Sequence, residues 1–68
     1  MHATQPADKL LDQALNCHET GDYAAAKAAY TSLLAAYPDD INGLTNFGLL
    51  HLQHEHPDLA IPLLERSL

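Results

Sequence analysis

Shifting the 68-residue chain against itself by 34 positions superposes Leu10 on Leu44, Leu15 on Leu49, Ala26 on Ala60 and Leu34 on Leu68. Ala14 falls on Gly48 and Tyr30 on Leu64, residues similar in kind. A period of that length signals one supersecondary unit written twice, since a unit so short buries its apolar face only against a neighbour. The plan of the unit is legible at Gly21-Asp22-Tyr23. Glycine adopts the left-handed conformation that closes a helix, and the following aspartate accepts hydrogen bonds from free N–H groups of the next one. Apolar residues then recur at helical spacing through Ala26, Tyr30, Leu33 and Leu34, until Pro38 stops the run. The unit reads as helix, tight turn, helix.

Taken in order, residues 1–6 are polar with one proline and predict a frayed lead-in. From Ala7 to about Glu19, Leu10, Ala14 and Cys17 form one helical stripe, and Leu11, Leu15 and His18 form a second beside it. Two stripes need two partners: the first packs on the following helix, with Ala14 allowing close approach, and the second faces inward. The second helix, about Tyr23 to Ala36, is rich in alanine, with Tyr23, Tyr30, Leu33, Leu34 and Tyr37 as its bulk. Asp39-Asp40 predicts an N-cap for a third helix from Ile41 to about Gln53. That helix sets Leu44, Phe47, Gly48 and His51 on one side and Thr45, Leu49 and Leu52 on the other. A fourth begins near Pro57, where a first-turn proline is tolerated. Pro62 predicts a local bend, its loss kept small if the helix starts as late as Asp58.

The run Gly21-Asp22-Tyr23, Ala26, Tyr30 and Pro38, with Leu10 and Ala14 upstream, resembles the tetratricopeptide repeat. The resemblance implies an all-α fold of antiparallel helical hairpins stacked as a short right-handed solenoid of four helices. A first unit would cover 7–40, and a second, over 41–68, breaks off short of a full repeat. The second departs from the pattern: Glu55 stands where the turn glycine would be and Pro57 where the turn tyrosine would be. The break inside a repeat points to a segment of a longer parent, whose remainder would then hold any chemistry.

Charge and composition exclude several classes of function. Three Lys+Arg against nine Asp+Glu give a net charge of −6, which opposes capture of phosphate backbones and anionic lipid surfaces. Neither nucleic acid nor membrane is an expected partner. No apolar stretch approaches the roughly 20 residues that cross a bilayer, and the first residues lack a signal pattern, so a soluble, cytoplasmic protein is expected. Cys17 is the one cysteine, so no internal disulfide forms. On the stripe facing the second helix it reads as a small, inert hydrophobe. His51, His54 and His56 invite a metal reading, but the second half of a zinc motif is missing and His51 falls in the core stripe. Tyr23, Tyr30, Tyr37 and Phe47, with no basic residues around them, read as core and not as a base-stacking platform. No nucleophile elbow, phosphate-cradling glycine loop or metalloprotease motif is present, and short helices leave little room for a ligand cavity. No catalysis, cofactor or metal is expected.

The expected function is protein–protein interaction, with another protein or peptide or a second copy of the chain as partner. By resemblance, such repeats bind extended or helical peptides through the first helix of each pair. Matched residue by residue, these positions are Asp8, Leu11, Asp12, Leu15, His18, Glu19, Asn42, Thr45, Asn46, Leu49, Leu52 and Gln53. The family members that grip a C-terminal carboxylate use lysine, arginine and asparagine there. Here Leu11 and Leu15 occupy matching places and the face has no basic residue, so an apolar segment fits better than an acidic tail. The competing reading is that these leucines pack against another helix of the same assembly. In the fourth helix, apolar residues on more than one face leave Leu59, Leu63 and Leu68 to be covered by the rest of a parent chain, a second copy or a partner. An alternative from another class is an N-terminal regulatory or oligomerising segment of a larger enzyme. Leu10-Leu11-Asp12-Gln13-Ala14-Leu15 and the run to Pro38 resemble leading repeats ahead of bacterial glycosyltransferase, sulfotransferase and methyltransferase domains.

Overall fold

The computed structural model describes residues 6–68. They form α1 (Pro6–Glu19), α2 (Tyr23–Ala36), α3 (Ile41–Gln53) and α4 (Pro57–Ser67), with no strand among the described residues. The fold is all-α: α1 packs on α2 and α3 on α4 as two helical hairpins. The hairpins meet where α3 lies against α2 and, less extensively, against α1; the backbone of α4 approaches α3 alone. The lead-in expected over 1–6 is shortened at its end, because Pro6 already opens α1; the rest of it lies outside the described residues.

Both hairpin turns close in the same way. At the end of α1, Gly21 sits at φ +80°, and the Asp22 N–H reaches back to the Cys17 carbonyl at 3.2 Å. That six-residue closure satisfies a carbonyl the helix end would leave bare. Asp22 then caps α2, its carboxylate accepting from the Ala25 N–H at 3.0 Å. In the second turn Glu55 takes the place of the glycine at φ 62°, and the His56 N–H reaches the His51 carbonyl at 2.8 Å. The departures from the glycine-tyrosine pattern therefore leave the turn intact, at the cost of a glutamate in left-handed backbone and an α4 N-terminus without a side-chain cap.

Between the hairpins, Asp40 caps α3 as expected, accepting from the Gly43 N–H at 2.8 Å. The fourth helix starts at Pro57, so Pro62 lies past the first turn, and the helix runs on through it to Ser67. Pro62 and Asp58, whose carbonyl loses its helical partner, are both exposed, so water can take that hydrogen bond.

The core is built from Ala14 of α1, Ala26, Tyr30 and Leu33 of α2, and Phe47 and Leu50 of α3. Tyr30 and Phe47 stack with ring centroids 5.3 Å apart, seating one hairpin on the other. Small residues set the helix distances. A Cβ placed on Gly43 would stand 2.7 Å from a Leu33 methyl carbon, and one on Gly48 would stand 2.7 Å from Leu64. Ala14, one period before Gly48, fits its Cβ into the first hairpin with no exposed surface. Leu44, Phe47, Gly48 and His51 are buried, as their stripe predicted. Cys17 is half-buried against the core, less enclosed than expected, and so are Tyr23 and Tyr37.

Candidate functional site

The residues matched by resemblance to a partner-facing surface lie on α1 and α3, the first helix of each hairpin. Of the residues matched to it by sequence, Asp8, Asp12, Glu19, Asn42, Leu49, Leu52 and Gln53 are exposed. Leu11, Leu15, His18, Thr45 and Asn46 are half-buried. Leu11 packs against the core cluster, so part of its surface serves the fold. Leu49 and Leu52 remain 42% and 43% exposed, which makes them the apolar groups of this surface most open to a partner. Asn46 turns back on its own helix, donating from Nδ2 to the Asn42 carbonyl at 2.8 Å.

One hydrogen-bonded chain ties this surface to the core. The buried Tyr30 hydroxyl lies 2.9 Å from His18 Nδ1, and His18 Nε2 lies 2.6 Å from Gln53 Oε1. Burial pushes the Tyr30 hydroxyl up to about 12, so it stays protonated and able to donate. Three helices, α2, α1 and α3, are joined in that order. Spacing alone gave no signal for this chain, because its partners stand 12 and 35 residues apart.

The histidines surround Tyr23. Its hydroxyl is hydrogen-bonded to Nδ1 of buried His51 at 3.0 Å, and its ring lies 4.3 Å from that of His54 and 5.8 Å from that of His56. Burial, with His56 and Lys27 nearby, holds the His51 imidazole below its ordinary pKa, against a smaller opposing effect of Asp58. Among the described residues no three His, Cys, Asp or Glu side chains are placed to hold a metal ion. The histidine rings are spent on packing a tyrosine.

The outer side of α4 is the second exposed apolar surface. Leu59, Ile61 and Leu68 are exposed, whereas Leu63 is half-buried and packs against the core. Of the face expected from Leu59, Leu63 and Leu68, two residues are exposed and one is half-buried. Leu63 points inward, and Leu59 stands on a different side of the helix from Leu68. Pro57, Ile61, Leu64 and Leu68 line up at helical spacing, with Pro57, Ile61 and Leu68 exposed and Leu64 half-buried against Gly48 of α3. Two open surface troughs, of about 460 Å³ along Tyr23, Ala24, Lys27, Ala28 and Thr31 and about 360 Å³ around Ala7, Tyr37 and Asp40, belong to neither surface. No described helix is long and apolar enough to cross a membrane. Compared with known proteins, the chain matches no family model, no curated protein and no solved structure.

Proposed function

We propose that the chain is a tetratricopeptide-like binding module that takes an apolar segment of another protein on the inner surface of α1 and α3. The 34-residue period and two turns closed by the same hydrogen bonds support the family reading. The observation that carries the function is the pair Leu49 and Leu52, both more than two-fifths exposed on a helix whose other side is fully occupied by the core. Exposed carboxylates at Asp8, Asp12 and Glu19 rim the surface and favour a segment that is not acidic.

Panning a displayed peptide library on the chain tests the reading. Apolar peptides should be enriched, and the double variant Leu49→Glu, Leu52→Glu should lose them while keeping its far-ultraviolet helical signal. Collapse of that signal would make the two leucines structural and sink the proposal. Unchanged enrichment on the folded variant would move the binding surface elsewhere.

A further inference from the structure

Resting on the reading of the chain as a binding module, we infer that the outer stripe of α4 docks a basic amphipathic helix from another protein. The internal period supplies the geometry. On α2, the seat for a helix is made by Tyr23, Tyr30, Leu33 and Leu34, and α3 fills it with Gly43 against the two leucines, Phe47 against Tyr30 and His51 against Tyr23. One period later the seat positions are Pro57, Leu64, Ser67 and Leu68: Pro57 and Leu68 are exposed, Ser67 is half-buried, and Leu64 is half-buried, one side of it taken by Gly48 of α3. Ile61, standing where Lys27 stands in the first unit, is 54% exposed and widens the apolar surface.

Charge decides what kind of helix fits. Asp58, Ile61, Glu65 and Leu68 follow one another along a single ridge at helical spacing, so acid and apolar groups alternate, and all are exposed. The one cation of α4, Arg66, is drawn away to donate to the Pro38 carbonyl at 2.7 Å. A helix with an apolar stripe flanked by lysine or arginine meets both features. A second copy of the chain meets neither. If it stacked head to tail it would present α1, where Lys9 and Gln13 occupy the places of Gly43 and Phe47 and are exposed polar groups. A lysine cannot enter a contact in which even a Cβ would come within 2.7 Å of a leucine methyl. Two chains at −6 also repel.

The test is an NMR titration of the intact chain with two synthetic helical peptides that share one leucine stripe, flanked by lysine in one and by glutamate in the other. The lysine peptide should shift the amides of Ile61, Leu64 and Leu68 and bind less tightly as salt rises. The variant Ile61→Ser, Leu68→Ser, which changes only exposed side chains, should weaken it about tenfold or more. Asp58→Asn with Glu65→Gln should erase the preference for lysine over glutamate. Equal binding of the two peptides, no binding of either, or shifts confined to Leu49 and Leu52 would overturn this placement. The last result would leave the inner-surface proposal standing. Sedimentation equilibrium adds one more arm: a dimer abolished by Ile61→Ser, Leu68→Ser would assign the stripe to a second copy and overturn the inference.

Discussion

The first hairpin closes on a left-handed glycine, caps its second helix with Asp22 and buries Tyr30 completely. Thirty-four residues later the second hairpin closes on a left-handed glutamate, caps nothing with His56 and places half-buried Leu64 in the tyrosine's position. The backbone hydrogen bonds of the two turns are nevertheless the same. What repeats is the backbone plan, while the side chains that make it inexpensive are concentrated in the first copy. The second copy carries the local conflicts, a strained turn, an uncapped α4 and Pro62, and it is also the copy with an uncovered side.

The comparison breaks most sharply at its paired core positions. Tyr30→Ala should cost about 3–5 kcal/mol in chemical denaturation, as deletion of a fully buried aromatic does, and Leu64→Ala clearly less, being half-buried. Equal losses would mean that α4 is as enclosed as α2. The turns give the next largest effect, with opposite signs at equivalent places. Gly21→Ala forces a side chain into φ +80° and should destabilise by about 1–2 kcal/mol, although nothing lies within 4 Å of the added carbon. Glu55→Gly relieves the same conformation and should stabilise by about 1 kcal/mol. If both changes destabilise, the glutamate is held by something other than the turn.

The smallest effect is in pH. Because the His51 pKa is lowered on folding, the unfolded chain takes up that proton more readily than the folded one. Its contribution is therefore complete above the ordinary value of 6.5 and declines as pH falls from there toward the lower folded pKa. Stability followed by denaturant midpoint from pH 7.5 to about 5.5 should decline less in His51→Gln than in the parent. An unchanged slope would remove His51 as its cause. Only the second hairpin's buried stripe carries a histidine, since Cys17 is its counterpart in the first.

Most helix boundaries were legible because punctuation sits at them: Gly21 and Asp22, Pro38 with Asp40, and Pro57. Buried stripes followed from spacing, except that the third helix's stripe left out Gly43 and Leu50. Leu50 is almost fully buried, yet its partner in the period is exposed Asn16, so the repeat concealed it. Contacts between helices were less accessible. The link from Tyr30 through His18 to Gln53 and the histidines around Tyr23 depend on how closely two hairpins approach, a distance set by Gly43 and the Tyr30–Phe47 stack together. Ile61 is not singled out by the sequence, because only the packing of α4 separates its inward groups from its outward ones.

Native-state amide hydrogen exchange tests the central contrast most directly, since it reports the opening free energy of each helix in the intact chain. Amides around Tyr30 in α2 should exchange only with global unfolding, while those of Ile61, Leu64 and Leu68 in α4 should exchange earlier, through local opening. Uniform protection across α2 and α4 would contradict the account, for it would mean that the second hairpin is as well enclosed as the first.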